Sequence, residues 1–376
     1  MNQPSRYLGL AAVITFVMVA GASRTGMEAG AAASVTVFAT GLNDPRGLAF
    51  GPDKHLYVAE AGSGGGTLST VGLCDQVQPP VGPYVGGHTA RVLRFSSSGG
   101  SSVVAAGLAS TEAGALIGGD KSGVSSLAFI GNRLLALTSG AGCSHGHVAA
   151  DNGILDLSRG DNSQLANLSA WLLANPGAKG AQQPRDPDFE PDGTWYSLLF
   201  DQGRLYAVEP NHGLLVSVHP TSGEVTLVND LFETFGDHTY TALAADRGDV
   251  YVGTLGRIVW APGGPPPIPD FVESFRAEIY RLSRDGQAAQ VATGLRAVLG
   301  LAFDQQHRLY ALQSPIFMPG TGSLVRQDGS GQWETVVSGL NFPSAVTLGP
   351  DGALYISECG YHCAPGQGRI LRVTTP

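Results

Sequence analysis

Hydrophobic and polar positions along this chain recur as a phrase. A short β-rich run leads to Gly-Leu, then an apolar strand, a tight turn and a Leu-Tyr strand. The clearest copies are Val35 to Glu60, Gln290 to Leu312 and Thr335 to Glu358. Weaker copies place Leu134-Leu135, Leu205-Tyr206 and Val250-Tyr251 at the Leu-Tyr position. Each unit closes with another alternating strand, as in Ala90 to Phe95, Leu214 to Val218 and Gly368 to Val373. Alternation of period two belongs to strands that pack through their faces. The shortest interval between copies, Leu205 to Val250, matches the roughly 40–45 residues of one propeller blade. The pattern predicts an all-β chain: a six-bladed β-propeller with four antiparallel strands per blade.

The register carries a further expectation. Labelled outward from the axis, blade one has Gly47 to Phe50 innermost, then Leu56 to Ala59, Arg91 to Phe95 and Ser102 to Ala106. The repeat begins with an outer-type strand, Ser34 to Ala39, and ends with a third-type strand, Arg369 to Val373. The N-terminal strand should therefore complete the last blade, closing the ring and covering an exposed edge. A two-sheet sandwich is the rival all-β reading, and six near-equal units argue against it.

Antiparallel blades send alternate connections to opposite faces. The turns after inner strands are short, as in Gly51 to His55 and Gly349 to Gly352. The connections on the other face are long: Ala61 to Thr89, Ala109 to Ser122, Ser139 to Asn152, Trp171 to Thr194, Phe232 to Thr239, Thr254 to Ala277, Gln313 to Thr321 and Glu358 to Gln367. Rigid scaffolds present function on such loops, so that face is where a ligand or partner is expected. His88, His145, His147, His212, His238 and His362 fall there, as do Cys74, Cys143, Cys359 and Cys363.

Composition adds the compartment. The chain has 376 residues, only 14% of them charged, with 53 Gly and 23 Pro, which favours short strands joined by turns. A net charge of −9 without a basic run disfavours nucleic acid and anionic membrane as partners. Arg6 precedes an apolar stretch, Tyr7 to Ala22, followed by Ala-x-Ala sites ending at Ala22 and Ala33. This reads as a signal peptide over 1–33, with 34–376 as the propeller, exported to the periplasm or the extracellular space. The bland alternative is an uncleaved anchor. After cleavage no stable membrane insertion is expected, and the chain should be a monomer.

An even cysteine count in an exported chain suggests disulfides. Cys359 and Cys363 share one loop, and Cys74 and Cys143 sit in equivalent loops of neighbouring blades, which favours those two pairs. Blade six also adjoins blade one, so Cys74–Cys359 stays open.

Several groups carry candidate chemistry. Asp186 to Tyr196 packs Asp186, Asp188, Glu190 and Asp192 before the inner strand of blade three. Oxygen-rich sites suit Ca²⁺ or another divalent ion, and paired carboxylates can act as acid and base. The plainer reading is a Pro-stiffened loop whose acids cap turns and pair with Arg185. Glu60, Glu209 and Glu358 end equivalent strands and could ring the mouth, or each could accept backbone N–H groups in its own loop. Asn211 and His212 follow Glu209, and His238 lies in the blade-four loop. Arg46 could hold an anionic ligand at the mouth or bond loop carbonyls. Cys143-Ser144-His145-Gly146-His147 has the wrong spacing for a standard zinc set and lacks a hydrolase elbow, so a disulfide in a Gly-rich loop is the favoured reading.

The stretches Gly41 to Glu60, Cys74 to Val77, Pro79 to Tyr84, Gly140 to Gly146, Asp188 to Tyr196 and Val208 to Gly213 resemble the ScyD/ScyE family of secreted bacterial propellers. The likeness covers most of Ser34 to Val373 and implies a six-bladed propeller outside the cytoplasm. It supplies no catalytic set. Gln313 departs from the Glu that relatives carry there, which weakens an acidic ring. A broader likeness to NHL-repeat and gluconolactonase-like propellers exists, but the latter's Glu, Asn and Asp ion ligands do not map onto this chain position by position. Two functions follow as expectations: a scaffold whose loop face binds a small molecule, glycan or protein, or a metal-assisted hydrolase or lactonase at the channel mouth.

Overall fold

Two-residue turns show how locally the blades are specified. In blade three, strand Ser197–Asp201 hairpins into Arg204–Glu209 through Gln202 (φ 47°) and Gly203 (φ 81°). Arg247 and Gly248 repeat this in blade four. Left-handed conformation at both positions matches the twist of the flanking strands, and the second residue is the one glycine makes easy.

In the computed structural model, residues 33–97, 99–114, 119–182, 186–259, 270, 274–314 and 319–375 are described. The export segment expected at 1–33 lies outside them except for Ala33, and so does Arg185. The described chain forms six antiparallel sheets arranged as a six-bladed β-propeller. The N-terminal strand Ser34–Leu42 pairs antiparallel with Gly368–Thr374, from Ser34 opposite Thr374 to Leu42 opposite Gly368. It is the outer strand of the last blade, as the register required.

Apolar side chains gather between neighbouring blades rather than at one centre. Leu137, Ile154, Trp195 and Leu214 fill the seam of blades two and three. Leu312, Leu324, Ile356 and Leu371 fill that of blades five and six. Leu42, Leu56, Val58 and Ile370 close blade six onto blade one. Burying each such side chain contributes about 1.5–3 kcal/mol, so every blade is held from both sides.

The inner strands also touch through hydroxyls. Ser125 Oγ donates to Trp195 O at 2.7 Å, Thr241 Oγ1 to Val298 O at 2.5 Å, and Ser344 Oγ to Pro45 O at 2.7 Å. At Gly47 a Cβ would stand 2.5 Å from Ser126 Cα, so close approach of blades one and two requires glycine. The inner strands enclose an axial channel of about 470 Å³.

The long connections are more ordered than expected. In blade one the third and outer strands run as Val85–Phe95 and Ser101–Glu112, and Lys121–Ser122 adds a fifth strand. The ends of the expected loops Ala61 to Thr89 and Ala109 to Ser122 are therefore sheet. Helices Leu168–Ala174 and Leu231–Phe235 begin on Asn167 and Asp230, whose side chains accept the N–H groups of Ala170 and Glu233.

Candidate functional site

The long connections meet over one end of the channel. A cavity of about 210 Å³ there is lined by Arg46 and Tyr84 from blade-one segments, Glu190 and Asn211 from blade three, Leu255 from blade four, Leu299 from blade five and Tyr361 from blade six. Every blade reaches it, since Ser125 of blade two is also in its wall.

Arg46 lies in this wall. Its Nη2 donates to Lys121 O at 2.5 Å and to Asp120 Oδ1 at 3.3 Å, and its guanidinium sits 5.8 Å from the Tyr361 ring centre. It therefore bonds a backbone carbonyl, one of its two sequence readings, and also a carboxylate. Asp44 beside it pairs with Lys121 at 3.6 Å; burial lifts its pKa to about 6, against the pull of Arg46 and Lys121. Burial raises Tyr196 to about 12, Arg46 opposing.

Behind the cavity lies a buried ionic cluster assembled from three loops. The Tyr84 hydroxyl donates to Glu190 Oε1 at 2.7 Å. His145 is fully buried, with Nε2 3.6 Å from Glu190 and Nδ1 3.6 Å from Asp192. Burial alone would lower the imidazole, but bonds to Asp192 and Glu190 outweigh it and lift the pKa from 6.5 to about 9. Asp192 is held below its usual range: burial would raise it, and His145 and Ser144 overcome that. Ser144 donates both its N–H and its hydroxyl to Asp192. A serine that spends its proton on a carboxylate beside a charged imidazole is not an activated nucleophile. The Gly-rich loop thus holds its disulfide and also an ion cluster that its spacing did not reveal.

Asp188 lines the cavity with Glu190. Its carboxyl is pushed well above the usual range, first by burial and then by the Glu190 and Asp186 charges.

The acidic ring does not form. Glu60 is fully buried and accepts the Asn43 N–H at 2.6 Å while paired with Arg91. Glu358 repeats the arrangement with the Asn341 N–H at 2.7 Å and Arg369. Glu209 accepts the N–H groups of Thr194 at 3.0 Å and His212 at 2.5 Å. Gln313 accepts the Arg296 N–H at 2.7 Å, so an amide does in blade five what the carboxylates do elsewhere. The need at this position is an acceptor for the N–H just before the inner strand, and charge is incidental. In blades two and four, Thr138 and Thr254 bond the third strand instead, at Gly153 and Glu278.

Other expected site residues also fall away from the cavity wall. Asp192 faces the His145 loop. His212 packs on Phe189 at 4.6 Å with Nδ1 3.3 Å from Glu209. His238 lies 3.3 Å from the Tyr280 hydroxyl and 3.8 Å from Glu278; burial lowers its pKa. Of the expected residues, Arg46, Asp188, Glu190 and Asn211 line the cavity. Tyr84, Asp120 and Tyr361 were not singled out, and His145 and Tyr196 were named only within candidate motifs. Tyr84 lies inside the stretches that carried the ScyD/ScyE resemblance, the one signal that pointed to it.

Disulfides Cys74–Cys143 and Cys359–Cys363 form, the expected pairing, and no other cysteine is free. The first ties the blade-one loop to the blade-two loop beside the ion cluster.

A divalent ion finds no ready set of side chains. Among the described residues no three His, Cys, Asp or Glu side chains are arranged to hold a metal. Asp192 and one oxygen of Glu190 are already committed to His145, Ser144 and Tyr84.

Fold and cavity define the class: a six-bladed β-propeller with its elaborated loops roofing one end of the channel. No family model and no curated protein matches the chain. Solved structures similar in fold include the calcium-binding protein regucalcin from Agrobacterium tumefaciens, at 13% identity and TM-score 0.53 over 92% of this chain and 94% of that one. A gluconolactonase from Xanthomonas campestris aligns at 14% identity and TM-score 0.51, covering 92% and 90%. An auxiliary nutrient binding protein from Bacteroides thetaiotaomicron aligns at 10% identity and TM-score 0.52, covering 91% and 76%. At these identities the likeness is one of fold. Among the described residues no helix is long and apolar enough to cross a membrane.

Proposed function

We propose that the chain is an exported, ScyD/ScyE-like propeller that binds a small polar molecule in the loop-side cavity at its channel mouth. One observation carries this reading: three oxygens in the cavity wall, Glu190 Oε2, Asn211 Oδ1 and the Tyr196 hydroxyl, are buried without a hydrogen-bond partner among the described residues. Buried polar atoms left unpaired are costly, and a ligand that pairs them is the economical explanation. The elaborated loops and the nutrient-binding fold neighbour support the same reading. Two disulfides fit an oxidising compartment. The export signal at 1–33 and a monomeric propeller from 34 to 376 belong to this proposal, as does a partner drawn from small molecules and glycans rather than nucleic acid or membrane.

The lactonase reading gains no residue set from the cavity, because its carboxylates are tied to a buried histidine or held against each other. A thermal-shift screen of the exported protein with sugars, polyols, amines and carboxylates tests the proposal. Stabilisation by one class, abolished by Ala113→Trp, which would fill the cavity from its wall, is expected. Calcium-dependent hydrolysis of gluconolactone would replace binding with catalysis.

A further inference from the structure

Several of the hydrogen-bond donors in the cavity wall are already spent. Thr111 Oγ1 donates to His145 O at 3.0 Å, Ser139 Oγ to Gly123 O at 3.4 Å, and Ser125, Thr241 and Ser344 to the inter-blade carbonyls given above. Tyr84 donates to Glu190, and the Tyr361 hydroxyl donates to Ser314 O at 3.4 Å. Arg46 spends its Nη2 on Asp120 and Lys121 O. What these groups leave facing the cavity is lone pairs. Of the three unpartnered buried wall atoms, Glu190 Oε2 and Asn211 Oδ1 are acceptors, and the Tyr196 hydroxyl can accept as well as donate.

Charge points the same way. Arg46 offsets Asp120. His145 offsets only one of Glu190 and Asp192, both of which it touches. Asp188 stands beside Glu190, its own charge disfavoured by burial and by that neighbour. An anionic ligand would add like charge to a water-poor pocket, and a neutral polyol would leave the carboxylate charge uncompensated. A cation would pair Glu190 directly, and the rings of Tyr84, Tyr196, Phe275 and Tyr361 in the wall would accept its positive face.

Resting on the binding role proposed above, we infer that the cavity selects a small organic cation, a primary ammonium group seated between Glu190 Oε2 and Asn211 Oδ1 with its apolar body against the tyrosines. The small volume, about 210 Å³, limits the ligand to a compact amine rather than a glycan chain.

Isothermal titration calorimetry on the exported protein tests this with matched probes: phenethylamine, 2-phenylethanol and 3-phenylpropionate, then putrescine, 1,4-butanediol and succinate, then calcium chloride. An amine should bind at least about tenfold tighter than the alcohol or carboxylate of the same skeleton. Glu190→Gln should remove that preference. Because Glu190 also holds Tyr84 and His145, Asn211→Leu provides a second variant, expected to weaken amines by about tenfold while the melting temperature stays put. Tighter binding of an alcohol, a carboxylate or calcium would overturn the cation assignment and leave a binding cavity. No binding by any probe here, together with an empty thermal-shift screen, would overturn both.

Discussion

The Tyr84 hydroxyl donates to Glu190 Oε1 across 106 residues of sequence, at 2.7 Å. This bond joins a loop of blade one to a loop of blade three and fixes which oxygen of Glu190 remains for the cavity. Tyr84→Phe leaves a buried carboxylate short of one donor. Global stability should fall by about 1–3 kcal/mol in urea unfolding. An unchanged midpoint would show that the bond is not made in solution.

His145 makes stability depend on alkaline pH. Folding raises its pKa from 6.5 to about 9, so the native state holds this proton more tightly than the unfolded chain. The stabilisation is complete below about pH 6.5 and is lost as pH climbs towards 9, on the order of a few kcal/mol. Urea midpoints measured from pH 6 to 9.5 should decline for the native protein and stay flatter for His145→Gln. Parallel curves would place the titration elsewhere.

Glu60 and Glu358 act as acceptors for a backbone N–H, and Gln313 shows that an amide suffices. Glu358→Gln should therefore be milder than Glu358→Ala, which strands both the Asn341 N–H and Arg369, at about 1–3 kcal/mol. Neither should change amine affinity, because Glu358 is outside the cavity wall. Equal loss of binding in both would return the acidic position to the site.

Cys74–Cys143 closes a loop of 69 residues between blades one and two. The double substitution to serine should cost roughly 2–5 kcal/mol. It should also weaken ligand binding by loosening the loop that carries Ser144 and His145. Calorimetric melting and titration of the same variant read both effects.

Removing Ser34 to Leu42 takes the outer strand from blade six and uncovers Gly368–Thr374 as an edge. The truncated chain should aggregate or melt well below the full one. A soluble monomer of unchanged stability would mean the strand is dispensable.

The blade repeat was readable because each unit repeats a local rule: period-two alternation, short turns and a Leu-Tyr-like strand whose neighbours are close in sequence. Ring closure followed from that register alone. The site was only partly readable. Arg46, Asp188, Glu190 and Asn211 reach the cavity as expected, whereas Glu60, Glu209 and Glu358 turn into their own blades.

What the chain's sequence determined by itself was blade number, strand order, the closing strand and the side on which long connections emerge, all consequences of periodicity and short-range pairing. Only the tertiary structure decided which of the loop acids meet His145, which hydroxyls spend their protons on neighbouring blades, and which oxygens are left for a ligand. Those outcomes depend on contacts such as Tyr84–Glu190 and Ser144–Asp192, between residues far apart in sequence, and no periodicity encodes the direction in which a loop side chain points.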